Sequence, residues 1–300
     1  MAARSIYSLF LTVLLAVLCF AETPAEVYDD GTNKNAPVLL NIGTGGAGQS
    51  GLVKELAQAF IKFSTGKGKS PFRVAWYKSD TTYTIQNLET GAVDVGITYN
   101  IAAEEIAIKQ GIAKDPAYYA FRDHFLLVGP MSNPANIDGS LNITDIFSQL
   151  HEAAEDPANN GTVRFLSRYD KSATNIKESE LWARIGQVPW ATAYSTWYHQ
   201  YISFPIQALT AAILLDEYTI SDRGTLLSLD PELANQTTVY KMATDDAHDD
   251  LLNPAHLLVG AKAVNGQEAQ DFADWVVSSD GQSVISGFKK NGQQLYSPAP

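Results

Sequence analysis

From residue 38 onward, short apolar runs alternate with stretches whose apolar positions recur at helical spacing. Residues 38–43 read as a short buried strand. The segment after them carries Leu52, Leu56, Ala59, Phe60 and Phe63 on one helical face. Further strands are predicted at 72–77, 93–98 and 125–130. Between them lie a helix ending at Gly91 and a helix over 102–110 that Asn100 caps and Gly111 stops. This alternation predicts an α/β fold with parallel pairing and right-handed crossovers. Residues 132–136 read as a crossover between lobes, followed by a helix over 143–154, a strand at 163–166 and a helix opening near Ser172. An apolar helix at 205–216, strands at 218–221, 239–243 and 257–260, and helices at 267–277 and 280–288 complete the chain. The pattern divides into a flexible arm at 22–36, one lobe of about 37–130 plus 251–300, and a second of about 131–250.

The beginning of the chain has a different pattern. A basic start at Arg4, an apolar run over 9–20 and a small residue at Ala21 predict a secretory signal peptide, 1–21. The run is shorter than the ~20 apolar residues of a membrane span. The single cysteine, Cys19, falls inside it, so the processed chain has neither a disulfide nor thiol chemistry. Three Asn-x-Thr sequons, at Asn142, Asn160 and Asn235, point with the leader to a secreted eukaryotic glycoprotein. With 21 Lys+Arg against 33 Asp+Glu, the net charge of −12 argues against nucleic-acid or anionic-membrane surfaces. Any anion must therefore be held by a local pocket. A monomer without a cofactor is expected.

Catalytic signatures are absent from the sequence. The five His are scattered, without zinc-site spacing. The acidic stretch 245–250 reads as a solvated loop, and no Gly-x-Ser-x-Gly elbow precedes a helix. The glycine-rich 43–51 lacks the Lys-Ser/Thr of a phosphate-binding loop and the acidic partner of a dinucleotide site. What recurs instead is a hydroxyl-rich turn between a strand and a helix, at 44–50, 79–82, 167–174 and 221–225. Such turns offer hydroxyls and free N–H groups at the carboxyl ends of strands, where ligands of open α/β sheets bind. In 164–182, Arg168 and Lys171 stand beside Ser167, Ser172 and Thr174, and Arg supplies a planar fork suited to an oxyanion. The plainer reading is that Ser172 caps a helix with Glu178 and Glu180 on its solvated face. Asp222-Arg223 reads as an ion pair bracing a helix start.

The order of these motifs resembles the extracellular tungstate- and molybdate-binding proteins, a two-lobed, type II periplasmic-binding-protein-like family. Ser167-Arg-Tyr-Asp-Lys-Ser-Ala-Thr-Asn-Ile-Lys-Glu178, followed by Leu181-Trp182, resembles that family's anion signature. Residues 218–225 are similar to its second signature, and Leu252-Asn-Pro254, 275–282 and 295–298 to its end. The resemblance implies an oxyanion held between lobes by Thr44, Ser50, Thr81, Arg168, Ser172 and Thr174, no enzymatic activity, and a membrane transporter as recipient. This sequence departs from the pattern where Tyr169 and Ala173 replace glycines and where Asp80 enters the second turn. The competing reading is an enzyme acting on a phosphate- or carboxylate-bearing small molecule in the same cleft. It requires an ionisable pair near Arg168 within hydrogen-bond reach of each other.

Overall fold

The structure is a computed structural model that describes residues 23–31 and 33–300. The expected leader lies outside the described residues. Part of the segment expected as a flexible arm forms β1 (Glu26–Tyr28), which pairs antiparallel with β3 (Arg73–Lys78). β2 (Val38–Thr44) lies between β3 and β4 (Val95–Thr98) and is parallel to both. In this sheet parallel pairing ends there. β5 (Tyr118–Pro130) and β10 (Leu252–Val259) enter antiparallel, giving the order β1-β3-β2-β4-β10-β5, with Ser297–Pro298 on the outer side of β5. The physical reason is that β10 comes back from the second half of the chain and inserts between β4 and β5, antiparallel to both, while β5 itself keeps the direction of β4. It runs on for thirteen residues, roughly 40 Å at the usual rise, out of one core and into another.

The second half of β5 pairs with β8 (Thr219–Asp222) and β9 (Thr237–Met242). β6 (Phe165–Ser167) and β7 (Tyr198–Gln200) form a short parallel pair beside β8. Two large apolar clusters result. The first gathers Leu40, Ile42, Phe60, Phe72, Phe121, Ala255 and Phe272, and the second Phe125, Phe147, Phe165, Trp182, Trp197 and Tyr218. Between Phe121 and Phe125 on β5, and between Leu251 and Ala255 around the start of β10, the chain passes from one core to the other. Trp197 and Tyr198 belong to the second core, with Trp197 5.4 Å from the Trp182 ring. They are packing residues rather than a surface patch.

The helices that matter for the site follow strands directly. α1 (Gly46–Ser50) and α2 (Leu52–Gly66) follow β2, α3 (Thr81–Thr90) follows β3, and α4 (Ile101–Lys109) follows β4. In the second half, α5 (Ile143–Glu155) leads toward β6, α6 (Ala173–Arg184) follows it, and α7 (Pro205–Leu214) precedes β8. α8 (Arg223–Ser228) opens immediately after β8. Side-chain caps start most of them: Asp80 accepts from the Tyr83 amide, Asn100 from Ala103, Asn142 from Asp145, Ser172 from Asn175 and Asp222 from Thr225. Among the described residues no helix is long and apolar enough to cross a membrane.

Candidate functional site

A cavity of about 40 Å³, room for a group of a few heavy atoms, lies between the two cores. The first core contributes Gly45, Gly46, Asp80, Thr81 and Tyr99. The second contributes Arg168, Ser172, Ala173, Thr174 and Asp222, and the crossing strands form a floor of Asp123 and Asn253. Thr81 opens α3 and Ala173 opens α6, so the first turns of both helices, where amides lack helical partners, border this space. At Gly45 the backbone passes so close to the second turn that a Cβ would sit 3.0 Å from the Ser79 carbonyl oxygen.

Arg168 is only 6% exposed and is held on three sides. Its Nε donates to the Ser203 carbonyl at 3.0 Å, one terminal nitrogen to Thr174 Oγ1 at 3.4 Å and the other to Asp170 at 2.6 Å. The same Asp170 accepts from the amide and hydroxyl of Ser172, at 2.9 and 2.5 Å. Ser172 therefore does both things the sequence offered: it caps α6 and borders the cavity. Thr81, Arg168, Ser172 and Thr174 come together on the cavity wall. Thr44 and Ser50 are buried behind it. Thr44 Oγ1 lies beside the Tyr99 hydroxyl, and neither makes a hydrogen bond of good geometry. Ser50 is spent on structure, donating to the Ala47 carbonyl at 3.1 Å and accepting from Tyr296 at 2.8 Å.

The carboxylates were less visible in the sequence. Asp80 caps α3 and also lines the cavity, and burial, with a contribution from the Asp170 charge, raises its pKa. Asp123 accepts from the His124 amide at 2.8 Å and from Asn253 Nδ2 at 3.1 Å. Burial, then the charge of Asp222, push its pKa well above the usual carboxylate range. Asp222 accepts from the amide and hydroxyl of Thr225, at 2.7 and 2.6 Å. Burial raises its pKa too, and the Arg168 charge opposes that rise. The bracing pair expected of Asp222 and Arg223 is not formed among the described residues, because Asp222 turns instead into the α8 cap. Asp123 and Asp222 face each other closely enough for their charges to interact, but no hydrogen bond joins them; each is taken up by amides or hydroxyls.

Glu178 is a correction to the sequence reading. It is 2% exposed, not solvated, and accepts from Ser167 Oγ at 2.8 Å and from the Tyr198 hydroxyl at 2.7 Å. Ser167 Oγ in turn accepts the Tyr169 amide at 3.1 Å. Glu178 thus anchors the turn that carries Arg168 from beneath. Glu180, by contrast, lies on the surface beside Lys177 and Arg184. The acidic loop is spent on local pairs: Asp245 meets His124 at 2.9 Å, Asp250 pairs with Arg184, and Asp249 accepts from Thr244. Among the described residues no three His, Cys, Asp or Glu side chains are grouped to hold a metal ion.

Comparison with known proteins places this cleft in context. The sequence profile of the PBP superfamily domain matches residues 31–280. A solved periplasmic protein, described provisionally as metal binding, is 65% identical and superposes with a TM-score of 0.85, covering 92% of this chain and 99% of its own. A Haloferax volcanii protein, described provisionally as the anion-binding protein of an ABC transporter, is 30% identical over 75% of this chain; the match spans 63% of that protein's length. The tungstate-binding protein TupA of Peptoclostridium acidaminophilum is 28% identical over 98% of both chains. Each of these relatives is named for binding rather than for catalysis, in keeping with a non-enzymatic role. Profile and two-core architecture agree, and the chain belongs to the PBP superfamily.

Proposed function

We propose that this chain is a secreted solute-binding protein that captures a small tetrahedral oxyanion, of the tungstate or molybdate class, by closure of two lobes over the cleft. The lobes are those expected from the sequence, about 37–130 plus 251–300 and about 131–250, with the passage between cores near residues 122–124 and 252–254. The observation that carries this reading is the convergence of Arg168 with the first turns of α3 and α6 on one small cavity. Arg168 has five N–H groups, and those not donated to Ser203, Thr174 and Asp170 remain for a ligand. Thr81, Thr174 and the helix amides add neutral donors, so an anion can shed water without losing hydrogen bonds. The names of the anion-binding relatives support the ligand class and a membrane transporter as recipient. Asn142, Asn160 and Asn235 are all exposed, which suits their proposed glycosylation.

Calorimetric titration with tungstate, molybdate, sulfate and phosphate tests the proposal. At least one is expected to bind below millimolar, and Arg168→Ala to weaken it by 10-fold or more, the scale of a charge-assisted hydrogen bond of about 1.5–3 kcal/mol. No binding, or equal binding by the variant, sinks the reading. Titration with Ca²⁺, Mn²⁺ and Zn²⁺ in the same series tests the metal-binding description of the 65%-identical structure.

A further inference from the structure

The floor of the cavity carries acceptors where an anion would need donors. Both oxygens of Asp123 and both of Asp222 accept hydrogen bonds from the protein, and none of these groups has a proton left for a ligand when ionised. Asn253, 4% exposed and lining the cavity, donates its amide to Asp123, while its Oδ1 is buried without a partner. Of the positive charges nearby, Arg168 shares its fork with Asp170 and Lys78 sits 3.8 Å over the Phe204 ring. An oxyanion entering a space this small would set its oxygens against carboxylate and amide oxygens with no hydrogen between them. A single proton on the floor converts that repulsion into a hydrogen bond.

We infer that the oxyanion is bound together with one proton, held by the Asp123–Asp222 pair, so that Asp123 meets the ligand as a neutral acid oriented by Asn253. This rests on the oxyanion reading above and deepens it. The burial that raises both carboxyl pKa values acts in the same direction. The other groups facing the pair are accounted for. From the segment after β4 comes Tyr99 and from the C-terminal segment Tyr296, both pushed further toward the neutral form by burial. Arg223 faces Asp123 from α8 and Arg168 faces Asp222 from the turn before α6. Asp80 and Asp170 stand on the walls. His124 follows Asp123 in the strand, points to the opposite face and pairs with Asp245.

The test is calorimetry with tungstate and sulfate, which carry no proton of their own between about pH 6 and pH 9, in buffers of different ionisation enthalpy. The wild-type protein is expected to take up about one proton per anion, and affinity to fall by up to tenfold per pH unit once the pair ionises. In Asp123→Asn the floor keeps only the Asp222 charge, the same charge as the singly protonated pair, so proton uptake should vanish and affinity should stop changing with pH. Anion binding without proton uptake by the wild type, a measurement that needs no variant, overturns the inference and leaves the oxyanion reading intact. Proton uptake that persists in Asp123→Asn overturns it as well. Failure of every anion to bind at any pH overturns both.

Discussion

Glu178 shows how much a single buried side chain can set at the residue scale. Burial pushes its pKa up to about 7, although Tyr198, Ser167 and Asn175 oppose that rise by hydrogen bonding. In the unfolded chain the same group titrates near 4.3. Between these values the folded state binds the proton more tightly, so this group's contribution to stability is full below about pH 4 and is lost as pH rises through about 7. The loss is of the order of 3 kcal/mol. Glu178→Gln keeps an acceptor for Ser167 and has no charge, so its melting temperature should decline less than the wild type's between pH 4.5 and pH 7. Parallel slopes in a pH series of melts would remove Glu178 from this role. The sequence placed Glu178 on a solvated face because its partners, Ser167 and Tyr198, stand eleven and twenty residues away. Arg168, Ser172 and Thr174 were legible because one turn contains all three. Asp123 and Asn253 were not, since only the pairing of β5 with β10 brings them together.

At the scale of elements, contacts between a first-core helix and a second-core turn bridge the two cores beside the cavity. Thr82, in the first turn of α3, donates to the Lys171 carbonyl at 3.0 Å, and the Lys171 ammonium lies 5.6 Å from the Tyr83 ring. Under the proposed closure of the lobes these bonds form only in the closed state, so their loss should act on release rather than on encounter. Thr82→Val removes one neutral hydrogen bond, worth about 0.5–1.5 kcal/mol. The expected result in stopped-flow displacement is faster anion dissociation, by roughly 2- to 10-fold, with little change in association. An unchanged dissociation rate would show that the contact does not hold the closed state. The turn on the other side has a cost of its own: Tyr169 adopts φ +43°, a left-handed conformation that glycine tolerates better. Element positions were readable from hydrophobic period and caps, because Asn100, Asn142 and Ser172 each stand immediately before an apolar-periodic run. Strand direction was less so: local pattern does not say that β5 continues into a second core or that β10 returns antiparallel.

For the whole molecule, one strand with a place in two cores makes the lobes mechanically distinct but not independent. Phe121 and Phe125 belong to different cores, yet only Arg122, Asp123 and His124 separate them. Melting either core strips β5 of half its partners. Scanning calorimetry should therefore show one cooperative transition, with calorimetric and van't Hoff enthalpies in agreement. Two resolved transitions would show that the lobes unfold separately. The return of an apolar strand to the first core near residue 257 was legible in the sequence. The sharing of β5 was not, because the sequence marks 125–130 as a strand without showing that it begins at Tyr118. The strand order carries a further consequence, for synthesis. β10 sits between β4 and β5 in the finished sheet but is made last of the three, after the whole second lobe. A chain that has emerged only as far as residue 250 contains every strand of the second lobe. In the first, β4 and the near edge of β5 still lack the neighbour that will cover them. Open edges of this kind recruit strands from other chains. Assembly of the N-terminal half therefore waits on the C-terminal fifty or so residues, and a chain truncated before them has aggregation, not partial folding, as its expected fate.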